Sequence, residues 1–348
     1  MPLARIPPLF DLDPSVPYYW RSPFTTTTMT STQSLDTPIQ IRGLTKTYAN
    51  GFQALKGVNL DIPMGMFGLL GPNGAGKSSL MRTIATLQEA SEGTIQWGDI
   101  NVLEEKIRVR QVLGYLPQSF GVYPGVSAEK LLNHFAALKG ITNGKERQGL
   151  VKHLLNQVNL YEARDRAVSG FSGGMRQRFG IAQALVGAPR LVIVDEPTAG
   201  LDPAERVRFL NLLSEISERA AIILSTHIVE DVSELCPQMA VLIGGQIRAT
   251  GQPLAMMQQL AGKIWRTQIK RDQLPTYEQA YRVLSTRFFM GEIIARIYSE
   301  TPPGPGFEGV EPDLEDVYFA VMKEIPARDL HNPLPLTPYP LGVIYHAS

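Results

Sequence analysis

The chain has 348 residues, 44% of them hydrophobic and 19% charged, enough to bury a large core and a smaller second one. Lysine plus arginine equals aspartate plus glutamate at 33 each, which argues against a basic field for holding nucleic acid, so no nucleic-acid partner is expected. The lone Cys236, set in the apolar run "ELCPQMAVLI", excludes an intramolecular disulfide and reads as a core thiol.

In chain order, residues 1–38 carry prolines at 2, 7, 8, 14, 17, 23 and 38 and four threonines from Thr25 to Thr28, and they are expected to form a disordered arm. Met29 offers an internal translation start, a hypothesis that the intact mass of the native protein decides. From Ile39 the β-rich runs "IQIRGLTKTY" and "ALKGVNLDIP" predict an antiparallel entry sheet. "MFGLLG" predicts a strand feeding a glycine loop, and "KSSLMRTIATL" a helix after it. About residues 119–175 apolar positions recur at three and four in "SAEKLLNHFAALKG" and "ERQGLVKHLLNQVNL", which predicts a helical insert with Ser127 as a cap. "LVIVDE" and "AAIILSTH" then read as buried parallel strands with the helix "AERVRFLNLLSEISER" between them. This alternation predicts a doubly wound α/β core over 39–250. Residues 251–325 predict a small α/β appendage, with "KIWRTQIK" and "EIIARIYS" as strands and "YEQAYRVLST" and "DLEDVYFAVMKEI" as helices; 326–348 read as a proline-rich tail. The longest apolar runs are strand length, far below the roughly 18 residues of a membrane span.

The chemistry concentrates in Gly71-Pro72-Asn73-Gly74-Ala75-Gly76-Lys77-Ser78, which fits G-x-x-x-x-G-K-[ST] with a strand before it and a helix after. Three glycines pack little and cost entropy, so their use is to let an anion approach bare backbone N–H groups at a helix start. Lys77 is expected to reach the outer phosphates of ATP and Ser78 to ligate Mg²⁺. "LVIVDEP" ends an apolar strand in two carboxylates, whose side chains alternate faces. Asp195 is expected to hold Mg²⁺ through water, and Glu196 to orient or deprotonate the attacking water.

Further motifs follow: "GYLPQ" with Gln118 before the insert, "FSGGMRQR" after it, "AGLDP" beyond the carboxylates and "STH" ending at His227. Taken singly, each has an ordinary explanation: Gln118 a surface loop, His227 a strand end, Tyr48 sheet packing, "FSGG" a helix cap. In this order and spacing, over about residues 39–250, the chain closely resembles the ATP-binding subunits of ABC transporters. The resemblance implies a P-loop ATPase core with an antiparallel entry sheet, a helical insert and an appended C-terminal unit. It implies that Gln118 touches Mg²⁺ or water and links the nucleotide to the insert, that Ser172, Gly173 and Gly174 form the signature, and that Asp202 is the D-loop aspartate. It also implies that His227 contacts the γ-phosphate and that Tyr48 stacks on adenine.

In the family the signature faces the phosphate loop of a second cassette, so two chains, alike or different, close around two ATP molecules. Departures are mild: Ser79 replaces the commoner threonine, and Met175 replaces the signature's usual glutamine. "SGGMRQR" and the closing "DLEDVYFAVMKE" resemble bacterial exporter-type subunits. A transporter reading requires separate transmembrane permease subunits docking on the insert near Gln118, with a surface over Tyr123 to Leu138, and a cytoplasmic, peripheral location at the inner face of the membrane. The alternative is a soluble ABC ATPase acting on ribosomes or DNA, whose relatives carry two cassettes or long coiled-coil arms. A regulatory binder without turnover would dispense with Glu196 or His227, and both are present.

Overall fold

A computed structural model describes residues 35–118, 121, 124–198 and 201–325. The expected arm up to residue 34, the internal start at Met29, the tail from 326 and Tyr123 lie outside the described residues. The chain divides into two units, one up to Arg248 and one from Ala249.

The first unit opens with β1 (Ile39–Thr47) and β2 (Gln53–Ile62), followed by β3 (Met66–Leu70) and α1 (Lys77–Ile84). β4 (Glu92–Trp97) and β5 (Ile100–Asn101) complete an antiparallel sheet of order β2-β1-β4-β5, the entry sheet expected from the sequence. β1 alternates buried and exposed residues and pairs Ile39 with Trp97 and Ile41 with Ile95, so one face is apolar and turned inward. Trp97 is fully buried and donates its indole N–H to the Leu35 carbonyl at 3.2 Å.

Next come α2 (Lys106–Val112), β6 (Leu113–Leu116), α3 (Ala128–Leu138), α4 (Gly144–Gln157) and α5 (Gly173–Ala184), the last three making the helical region between β6 and the following strand. Ser127 caps α3, accepting from the Lys130 N–H, as its position before the apolar-periodic run predicts. β7 (Leu191–Asp195), α6 (Pro203–Ser217), β8 (Ala221–Thr226), α7 (Val229–Leu235), β9 (Gln238–Ile243) and β10 (Gln246–Gly251) follow. β3, β7 and β8 are buried at every position, as unbroken apolar runs in a parallel sheet must be. The second sheet has order β10-β9-β3-β8-β7-β6, with β3, β6, β7, β8 and β9 parallel. One core joins Ile41 and Trp97 of the antiparallel sheet to Phe67, Ile193 and Ile223 of the parallel one, with Leu80 and Met81 of α1 between them. Cys236 is buried as a free thiol beside Gly68 of β3, and burial pushes its pKa up, away from the reactive range.

The second unit contains α8 (Pro253–Gln258), β11 (Ile264–Ile269), α9 (Leu274–Ala280), β12 (Arg282–Phe289), β13 (Glu292–Tyr298), β14 (Glu308–Gly309) and α10 (Leu314–Met322). Its sheet has order β12-β13-β11-β14 and is antiparallel. The single helix expected over "YEQAYRVLST" is a correction: the helix stops at Ala280, and Arg282 starts a strand. Tertiary pairing overrides the local helical period here, because Val283 and Thr286 take register against Ile297 and Ala295. The Arg296 guanidinium holds the fully buried Asp316 of α10 at 2.8 Å, and Asp316 also closes a capping box with Asp313.

Candidate active site

The parallel sheet decides where the functional side chains meet. β3 and β8 are in register up to Leu70 opposite Thr226, β8 and β7 up to Ser225 opposite Asp195, and β7 and β6 up to Val194 opposite Leu116. The carboxyl ends of four strands therefore lie side by side, and the segments leaving them carry Gly71, Gln118, Asp195–Glu196 and His227. This is the edge at which open α/β sheets place their ligands.

The glycines of the loop are not interchangeable. A Cβ on Gly71 would lie 2.2 Å from the Leu242 carbonyl of β9, so this glycine is required by the close approach of two backbones. Gly74, at φ +79°, has open space around its missing Cβ, so only its left-handed backbone requires glycine. The Gly245 N–H donates to the Ala75 carbonyl at 2.9 Å and fixes the loop from the β9–β10 turn.

Lys77, the first residue of α1, is 5% exposed and donates to the carbonyls of Gly71 at 2.6 Å and Pro72 at 3.2 Å. Burial pushes its ammonium pKa down, and the nearby Glu196 and Asp195 carboxylates oppose that shift. Asp195 is buried at the end of β7, where desolvation pushes its carboxyl pKa up, opposed by the neighbouring Ser78 and Ser225 hydroxyls. A carboxylate and a hydroxyl brought together at a buried strand end form an oxygen donor set that fits a hard cation such as Mg²⁺.

Glu196 is the point of convergence. Its Oε2 accepts from the Gln118 amide at 2.9 Å, its Oε1 lies 3.3 Å from His227 Nδ1, and the Lys77 ammonium stands 3.9 Å away. Gln118 and Glu196 are 78 positions apart in sequence. Glu196 adopts φ +48°, an uncommon left-handed conformation for a non-glycine residue, held by its N–H donating to the Ser225 carbonyl at 2.8 Å.

Tyr48 sits just beyond β1 with its hydroxyl 2.9 Å from the Ser79 hydroxyl and 3.2 Å from the Gln88 amide oxygen, which ties an exposed aromatic ring to the first turn of α1. Ser172, Gly173, Gly174 and Asp202 occupy other ground. Ser172 caps α5 by accepting from the Met175 N–H at 3.2 Å, so Met175 contributes its backbone where the usual side-chain amide is lacking. Gly173 and Gly174 begin that helix, with Gly174 facing Glu205, and Asp202 caps α6 by accepting from the Glu205 N–H at 2.9 Å. Among the described residues, the hydrogen bonds of Ser172 and Asp202 run within their own helices rather than to Lys77 or Glu196.

Two links escaped sequence reasoning. The Gln177 amide of α5 donates to the Pro197 carbonyl at 2.5 Å, and Thr198, Thr226 and Arg206 converge on the buried Asp231. Gln177 and Thr226 stand inside quoted motifs without a role of their own, and α7 carries three acids, Glu230, Asp231 and Glu234, so nothing in the sequence singled out the buried one.

Residues 55–199 match the family model described as ABC transporter. The chain is 34% identical over 233 residues to the uncharacterized ABC transporter ATP-binding protein YxlF of Bacillus subtilis (strain 168), covering 67% of this chain and 77% of that protein. This chain belongs to the ABC transporter ATP-binding family. The cassette is also 30% identical over 305 residues to the methionine import ATP-binding protein MetN 1 of Acinetobacter baylyi (strain ATCC 33305 / BD413 / ADP1), covering 84% of this chain and 85% of that protein. It is 30% identical over 267 residues to the daunorubicin/doxorubicin resistance ATP-binding protein DrrA of Streptomyces peucetius, covering 76% and 78%. The dimeric post-hydrolysis structure of the ATP-binding cassette MJ0796 bound to ADP and Pi superposes with a TM-score of 0.58 at 25% identity, covering 62% of this chain and 98% of that one. The cassette is thus an ABC-type P-loop ATPase in fold and family, and among its described residues no helix is long and apolar enough to cross a membrane.

Proposed function

We propose that this cassette binds MgATP, pairs with a second cassette around two nucleotides, and hydrolyses ATP to drive separate transmembrane permease subunits. The observation that carries the reading is the convergence of Gln118, His227 and Lys77 on Glu196 beside the glycine loop. Backbone N–H groups of Gly74 to Ser78 and the start of α1 receive the phosphates, and Lys77 adds a fixed positive charge there. Tyr48 offers the adenine a ring already tethered to Ser79. Ser78 and Asp195 hold Mg²⁺, with Gln118 reaching the same place; the ion supplies neutralisation of phosphate charge. Glu196 accepts a proton from the attacking water, Gln118 orients the Glu196 carboxylate, and His227 stabilises charge on the γ-phosphate. Ser172, Gly173, Gly174 and Asp202 serve the nucleotide of the partner cassette, which is consistent with their standing apart from this chain's own Lys77 and Glu196.

Export is the direction supported by the resemblance of "SGGMRQR" and "DLEDVYFAVMKE" to exporter-type subunits and by the likeness to DrrA. The implied location is the cytoplasmic face of the cell membrane, held there by the permease subunits. The test compares wild type with Glu196→Gln. With Mg²⁺ and ATP, turnover should fall by about 10²-fold or more, the scale of a lost general base. Light scattering should then show an ATP-dependent dimer of the variant, and detergent-solubilised membranes should yield a multi-span protein with it. Equal turnover by both proteins would remove Glu196 from the reaction, and recovery with ribosomal or DNA-repair partners would overturn the transport reading.

A further inference from the structure

Asp231 lies in the first turn of α7 and has no solvent exposure. Its Oδ2 accepts from the Thr198 hydroxyl at 2.6 Å and lies 3.5 Å from the Thr226 hydroxyl, while its Oδ1 accepts from Arg206 Nε at 2.8 Å and forms an ion pair with Nη2, 2.6 Å away. These partners come from three different segments. Thr198 is two residues after Glu196, Thr226 immediately precedes His227, and Arg206 donates its backbone N–H to the Asp202 carbonyl at 2.9 Å. The Thr226 hydroxyl also accepts from the Ile228 N–H at 2.9 Å, so it is bound on both sides of His227. Pro197, between Glu196 and Thr198, is held in turn by Gln177 of the signature helix.

A buried ion pair alone is weak evidence for a stability role, since well-packed apolar residues often replace one at no cost. A buried hydrogen-bonded network instead fixes the relative positions of its members. We propose that Asp231 is a positioning residue for ATP hydrolysis, setting the separation of Glu196 and His227 by binding Thr198 and Thr226 with one carboxylate oxygen while its other oxygen anchors the Asp202 helix through Arg206. The inference rests on the reading of Glu196 and His227 as the hydrolytic pair. It gives the isolated cassette a rigid link between its own water-activating side and Asp202, the residue assigned to the second cassette's nucleotide.

The test is steady-state ATP hydrolysis by the purified full chain as Asp231→Asn, Thr198→Val and the double variant, with Glu196→Gln as the reference. Asp231→Asn should lower kcat by about tenfold or more, since a small misplacement of reacting groups is costly. KM for ATP should stay within about twofold, because the glycine loop, Lys77 and Tyr48 are untouched. Thr198→Val removes one hydrogen bond and leaves the Arg206–Asp231 pair, so it serves if the first variant does not fold. It should lower kcat severalfold at unchanged KM, and the double variant should be no slower than Asp231→Asn alone. Folded variants with kcat within about twofold of wild type, or with kcat and ATP affinity lost together, would overturn the positioning role. Wild-type turnover by Glu196→Gln would overturn the hydrolytic reading and this inference with it, whereas a slow Glu196→Gln beside a fast Asp231→Asn would remove this inference alone.

Discussion

Two glycines three residues apart, Gly71 and Gly74, meet unlike constraints, and alanine should separate them. At Gly71 the new Cβ would press on the backbone carbonyl of Leu242, which cannot rotate away, so the loop and β9 must part. At Gly74 the cost is the left-handed conformation alone, about 1–2 kcal/mol for a non-glycine residue. Gly71→Ala should cost more, about 3 kcal/mol where overpacking meets backbone. Urea unfolding monitored at constant slope would show the order, and a smaller midpoint loss for Gly71→Ala than for Gly74→Ala would contradict it. The loop thus owes part of its glycine content to its neighbours in the fold, and part to its own dihedral angles.

Among the elements, α4 packs Leu150, Val151, Leu154 and Leu155 inward and carries the half-buried His153 among them. Desolvation pushes the His153 pKa below its ordinary 6.5. A depressed folded-state pKa means that the unfolded chain takes up the proton first, so the stability tied to neutral His153 is present above about 6.5 and is lost as pH falls through the lower folded value. His153→Gln, which does not titrate there, should therefore lose less Tm than wild type between pH 7.5 and pH 5.5. Equal losses in the two proteins would show that burial of this imidazole is not felt. The helices around it follow from apolar spacing and capping alone, whereas "YEQAYRVLST" shows the limit of that reasoning. There an apolar recurrence compatible with a helix was captured by a neighbouring strand, and the turn at Met290 and Gly291, both at positive φ, closed a hairpin.

For the molecule as a whole, the division at Arg248 separates a unit carrying every residue assigned to nucleotide from one carrying none. Ligand that binds only the native state stabilises the part that binds it, by about 2.7 kcal/mol at a hundred times Kd. Calorimetry of the full chain should accordingly show the transition of the first unit moving up with MgATP while that of the second stays. Movement of both together would show that the two unfold as one cooperative body.

The glycine loop with its lysine, the acidic strand end and the buried parallel strands were legible in the sequence because each is written in consecutive residues whose period or spacing has a local physical cause. The α/β core and its antiparallel entry sheet were legible for the same reason, and the ABC type through the resemblance of its motifs to a known family. What only the tertiary structure decided is long-range: that Gln118 bonds Glu196, that Gly71 yields to Leu242, and that Asp231 gathers Thr198, Thr226 and Arg206. Those contacts depend on strand order and register in a sheet whose neighbours are distant in the chain, and no local pattern of side chains encodes which strand end will stand beside which.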